Sequence, residues 1–226
     1  MSSCFFYLSQ NRDCYDKLAN EIRTTFSSSE EIHGGPTLWG CQYLRAVINE
    51  ALRMSPPVAG TLWREKHVGY DDKPLIVDGH VIPPGTEVGI NMYAIHHNQE
   101  YFPEPFEFRP DRWLDESTMS EAQRKLMQDA FSPFSLGTRG CVGKPFAYLE
   151  ASLVLAKTFW YFDFERAPGP LGEVGGGGKT NEAGRHRRQE FQLYDGFTST
   201  HEGPYLNFKP RGEHYKELLE TRDASS

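Results

Sequence analysis

A single cysteine, Cys141, lies between glycines in the run FSPFSLGTRGCVGKPFAYLE, which occupies residues 131 to 150. Around it stands the pattern Phe134-x-x-Gly137-x-Arg139-x-Cys141-x-Gly143, followed by Ala147. A helix is expected from about Lys144 to Trp160, with Pro145 tolerated in its first turn. The free N–H groups and positive dipole end at its start favour a negative charge beside them, and the thiolate is the form of cysteine that attacks electrophiles and ligates metals. Gly140 and Gly143 let the backbone approach the sulfur in conformations that a Cβ disfavours. Arg139 offers a planar fork suited to a carboxylate, and Phe134 would wall the sulfur from water. Taken alone, a lone cysteine is more often merely structural, because free Cys packs as a small hydrophobe. The whole spacing together reverses that preference.

The pattern resembles the cysteine-ligand loop of the cytochrome P-450 family of haem-thiolate monooxygenases. The resemblance implies that Cys141 is the axial ligand of a haem b iron, where a thiolate pushes electron density toward bound oxygen. Phe134, Gly137, Gly143 and Ala147 would then belong to the haem-binding loop, and Arg139 would meet a haem propionate. Three further stretches match. Glu50-x-x-Arg53 sits on a predicted helix, where i,i+3 spacing lets the two side chains pair. Helical periodicity places them on the polar flank, as an exposed pair worth less than about 1 kcal/mol. The resemblance implies instead a buried network with Arg112, from Phe108-x-Pro110-Asp111-Arg112-Trp113, which pins a meander over the cysteine loop. Asp111 replaces the glutamate more usual there. Arg64, read alone a surface arginine, follows the Pro56-Pro57 corner where the family places a second propionate partner. By the same resemblance, Val58, Ala59, Gly60 and Thr61 would face the substrate pocket, together with the late turn Phe197-Thr198-Ser199-Thr200. MYAIHHNQEYFPEPFEFRPDRW and GFTSTHEGPYLNF look most like the family's microsomal fungal members.

Several elements must position these residues. Asn11 is expected to cap a helix with Leu18, Ile22 and Phe26 on one face. Pro36 opens a second helix with the apolar stripe Leu44, Val47, Ile48 and Ala51, stopping before Pro56-Pro57. Leu75 to Ile82 reads as a hairpin around Asp78-Gly79, a type I′ turn signal, and a strand follows near Glu87 to Asn91. A proline-rich meander, YFPEPFEFRPDRWL, leads to Trp113. Thr118-x-x-Glu121 suggests a capping box for a polar helix ending near Ala130. After the helix behind Cys141 come a strand at Tyr161 to Glu165 and a two-stranded unit at Phe191 to Phe208. Residues 167 to 190, with Gly175 to Gly178 and Arg185-His186-Arg187-Arg188, read as a solvated, mobile loop insertion.

The 226 residues carry a net charge of -7, which gives no pull toward nucleic acid or an anionic membrane. No run of eighteen apolar residues occurs, and the opening MSSCFFYLSQNRDC lacks the features of a signal peptide. Cys4, Cys14 and Cys41 have no CxxC partner, so zinc spacing and a redox pair are not expected, and a reducing environment is. His96 and His97, adjacent on a helix, point to different faces and lack a third ligand at useful spacing.

The fold class implied is mainly α with small β-sheets (α+β), residues 1–226 forming the C-terminal portion of a single cytochrome P-450 domain. FFYLSQNRDCYDKLANEIRTTF looks like the tail of the family's long central helix and the helix after it. The oxygen-binding segment of that helix is expected before residue 1, so no catalytic residue for oxygen activation is expected here and the chain reads as truncated. The implied activity inserts one atom of O2 into a small lipophilic substrate, with electrons from NADPH through NADPH–cytochrome P-450 reductase. It implies the cytosolic face of the endoplasmic reticulum, with membrane association through an N-terminal segment outside this chain. A haem-thiolate isomerase or dehydratase, and a non-catalytic fragment, are the alternatives.

Overall fold

The computed structural model describes residues 1–67, 69, 73–114, 119–178 and 181–223. Two helices open the chain, α1 (Ser2–Gln10) and α2 (Arg12–Thr25). Asn11 sits between them, but its side chain does not cap α2 as expected. Its Nδ2 donates to the Tyr7 carbonyl at 2.7 Å, beside the Asn11 N–H that also donates there, so the residue closes the end of α1. Leu18, Ile22 and Phe26 are buried, as their spacing predicts.

The helix expected from Pro36 is two helices, α3 (Pro36–Gly40) and α4 (Gln42–Met54), because the chain turns out of helical geometry at Cys41. Leu44, Val47, Ile48 and Ala51 of α4 enter the core beside Tyr7 and Leu8 of α1. The opposite core wall is α7 (Lys144–Tyr161), whose Leu155, Ala156 and Phe159 are fully buried. Burying a side chain the size of Leu or Phe contributes about 1.5–3 kcal/mol each, so these helices carry most of the molecule's cohesion. Tyr148 of α7 fastens the pair from the other side, its hydroxyl donating to Asn49 Oδ1 at 2.8 Å.

Among the described residues, three two-stranded antiparallel sheets flank the helices. β1 (Thr61–Glu65) pairs with β4 (Glu87–Asn91), matching Leu62 to Ile90 and Arg64 to Val88. The hairpin β2 (Leu75–Val77) and β3 (His80–Ile82) turns at Asp78 and Gly79, both at positive φ, as a type I′ turn requires. Helix α5 (Met92–His96) follows β4 directly, capped by Asn91 Oδ1 accepting from the Ala94 N–H. The polar helix α6 (Glu121–Ala130) ends where expected. Thr118 lies outside the described residues, and Ser120 is the cap, accepting from the Gln123 N–H at 3.2 Å.

The third sheet departs from expectation. β5 (Phe162–Arg166) pairs with β6 (Leu206–Pro210) across the sequence, while residues 191–205 contribute only isolated bridges, Gly176 to Phe191 and Tyr194 to Thr200. Phe208 is drawn to β5 by packing on Phe164 and Phe5. The helix α8 (Lys216–Asp223) ends the described chain. The glycine-rich stretch 167–190 carries defined contacts. The Gly177 N–H donates to the Arg187 carbonyl, Arg187 lies 3.5 Å over the Phe106 ring, and Arg185 lies over Tyr194.

Candidate functional site

The Cys141 loop is a closed backbone turn at the head of α7. The Cys141 N–H donates to the Phe134 carbonyl at 2.8 Å, and residues Gly137–Arg139 form a single 3-10 turn between them. Ser135 and Gly137 both have positive φ, which only glycine adopts without steric cost. A Cβ at Gly143 would stand 3.7 Å from Cys141 Sγ, and one at Gly140 would press on the Gly137 carbonyl at 3.2 Å. From there Ala147 is the first residue bonded along the helix, its N–H donating to Gly143. Phe134 turns inward, 5.5 Å from the Tyr148 ring, and anchors the loop on α7.

The loop's outer face is apolar and open. Leu136 is 66%, Val142 96% and Phe146 70% exposed, and Cys141 is exposed beside them. A groove of about 340 Å³ runs from Ser135 and Leu136 of this loop to the face of the β1–β4 sheet that carries Leu62, Arg64, Val88 and Ile90. The two-residue period of β1 puts Leu62 and Arg64 on that face and Trp63 on the other. Arg64 therefore shares one groove with the cysteine loop. Arg139 is exposed on the same loop without lining the groove. Neither guanidinium has a carboxylate partner among the described residues; Arg64 donates only to the Trp63 carbonyl.

Beneath the site, Glu50, Arg53 and Arg112 are buried together. Glu50 Oε1 accepts from Arg53 Nη2 at 2.9 Å, from the Arg109 N–H at 2.9 Å and from Arg112 Nε at 3.0 Å. Its Oε2 accepts from Arg53 Nε and Trp113 Nε1. The guanidiniums then reach the backbone of α5 and the meander: Arg53 Nη1 donates to the His96 and Pro105 carbonyls, Arg112 Nη1 to that of Pro103. The exposed pair that periodicity suggests is thus corrected, because the chain from 103 to 113 lies over that flank of α4. Burial alone pushes the Glu50 carboxyl up, but Arg53 and Arg112 together outweigh it and hold the carboxyl below its ordinary range. Trp113, which stands in the sequence motif without an expected place in the network, and the Arg109 amide, which no pattern singled out, complete it.

His96 and His97 diverge, as adjacent helical residues must. His96 Nε2 accepts from the Ser132 N–H and its ring packs against Phe131, while His97 stacks between Tyr93 and Phe106. Desolvation holds both rings neutral, pushing His96 down to about 3 and His97 to about 4. They serve as packing between α5, the meander and the start of the cysteine loop.

The two segments expected at a substrate pocket do meet. Val58, Gly60 and Thr61 share a cleft of about 320 Å³ with Phe197, and the Ser199 N–H donates to the Pro57 carbonyl at 2.7 Å. Ala59 instead faces a separate recess beside Tyr93, and Thr198 is exposed without lining the cleft.

The donor set suits an iron porphyrin: one soft sulfur ligand, an apolar wall, and two unpaired guanidiniums for propionates. The profile of the cytochrome P-450 family matches residues 1–171. A cytochrome P-450 monooxygenase of Alternaria alternata, AKT7, is 45% identical over 92% of this chain and 40% of its own length. The monooxygenase apf7 of Gibberella fujikuroi is 45% identical over 93% of this chain and 38% of its own. A third, from Gibberella zeae, is 42% identical over 93% of this chain and 46% of its own. The chain spans about two fifths of the length of these curated relatives. An α+β fold, a cysteine loop heading a long helix and a profile match over most of its length lead to one conclusion: the chain belongs to the cytochrome P-450 family.

Proposed function

We propose that this chain supplies the thiolate side of a haem-thiolate monooxygenase. The observation that carries the reading is the exposed Cys141 loop, set in an apolar face that Arg64 shares through one groove. When bound, haem b would supply the redox chemistry that inserts one atom of O2 into a small lipophilic substrate. Cys141 would hold the iron. Arg64 and Arg139 would hold the propionates, and Leu62, Ile90, Met92 and Leu136 would keep water from the macrocycle. Glu50, Arg53 and Arg112 hold the meander that backs the loop, so they position without touching the cofactor. Val58, Gly60, Thr61 and Phe197 would shape the substrate end.

Electrons would come from NADPH through the family's reductase, at the cytosolic face of the endoplasmic reticulum. Among the described residues no helix is long and apolar enough to cross a membrane. Haem titration tests the reading. Arg64→Leu and Arg139→Leu should each weaken uptake by about tenfold, the loss of one charge-assisted contact worth about 1.4 kcal/mol. Unchanged affinity in both variants would remove the propionate assignment.

A further inference from the structure

We infer that the cleft between residues 58–61 and the Phe197 turn selects substrates carrying a protonated amine, with Asp195 as the recognising group. This rests on the monooxygenase reading for the cleft's role, and concerns substrate class alone.

The Asp195 carboxylate is set over Gly60 so closely that a Cβ there would stand 3.0 Å from Oδ1. The turn that carries it is held by the backbone on both sides. Tyr194 and Thr200 exchange a pair of hydrogen bonds at 2.8 and 2.9 Å, closing the turn that carries Asp195, and the Ser199 N–H fastens that turn to Pro57. Asp195 has no ion-pair partner among the described residues. Arg185 is engaged elsewhere, pairing with Glu182, donating to Gln192 and the Leu193 carbonyl and lying over the Tyr194 ring.

Two aromatic rings line the same cleft, Trp63 at 59% exposure and Phe197 at 82%. A carboxylate without a cation among the described residues, in a cleft with two exposed aromatic rings, offers an ammonium charge pairing and cation–π attraction. A neutral alcohol of the same shape gains neither. A lipophilic amine is therefore the ligand that fits, its apolar body on the rings and its nitrogen at Asp195.

The test is a ligand-observed NMR titration of this chain with phenylbutylamine and, in parallel, phenylbutanol. The amine should bind more tightly by about fivefold, the sum expected of one exposed ion pair and one cation–π contact. Asp195→Asn should erase that preference while leaving the alcohol's affinity unchanged. Gly60→Ala, which displaces the carboxylate without removing its charge, should reduce the preference. Phe197→Ala should weaken both probes. Equal binding of the two probes to the native chain, a preference that survives Asp195→Asn, or no binding of either would each overturn the assignment. No haem is needed, so failure here leaves the haem titration standing, and failure there leaves this result intact.

Discussion

Glu50 carries a negative charge away from water, and five donors surround its two oxygens. Such a group is stable only while every partner stays, since removing one member of a buried ion network leaves an uncompensated charge. Glu50→Gln should destabilise the fold by about 3–5 kcal/mol at neutral pH, read from urea unfolding. Because the two guanidiniums hold the folded carboxyl below its ordinary value of 4.5, the stabilisation is present above that pH and lost as pH falls through the folded value. The gap between native and variant should therefore close on acidification below about pH 4.5. A gap that holds constant would contradict an ionised Glu50. Periodicity within α4 could not show this burial, because the covering residues, 103 to 113, lie some fifty positions away. Only the motif resemblance pointed to it.

At the scale of elements, α5 and the β1–β4 sheet tie the meander and the Arg64 face together. The two histidines at the end of α5 are neutral in the fold and protonate below pH 6.5 once unfolded. Between pH 6.5 and about 4 the unfolded chain binds more protons, so stability should fall with pH across that window. His97→Gln should flatten part of this slope in urea midpoints measured from pH 7 to 4. Gly89 lets β4 pass against β1, since a Cβ there would come within 2.5 Å of the Thr61 side chain and 2.9 Å of the Leu62 carbonyl. Gly89→Ala should cost about 1–3 kcal/mol by overpacking and disturb the Arg64 face, with haem affinity falling alongside the thermal midpoint. The Asp78-Gly79 hairpin was legible from two residues because turn chemistry is local. The β5–β6 pairing was not, because its partners are forty residues apart and the intervening chain mimics a strand pair of its own.

For the molecule as a whole, an apolar face surrounds Cys141, with Leu136, Val142 and Phe146 exposed beside the thiol. Contiguous apolar surface of this kind marks a site to be covered. The place of the cysteine loop at the head of α7 was legible in the sequence, since its glycines, arginine and cysteine lie within ten residues of the helix start. The groove that links it to Arg64 was not, because it depends on the register that matches Arg64 to Val88 and Leu62 to Ile90. The most direct measurement is the carbon monoxide difference spectrum of the reduced, haem-loaded chain beside its Cys141→Ala variant. The expected result is the long-wavelength Soret band of a thiolate-ligated complex in the native chain, absent from the variant, with both chains equally folded by circular dichroism because Cys141 is exposed. A chain that takes up no haem, or a spectrum unchanged in Cys141→Ala, would contradict Cys141 as the iron ligand.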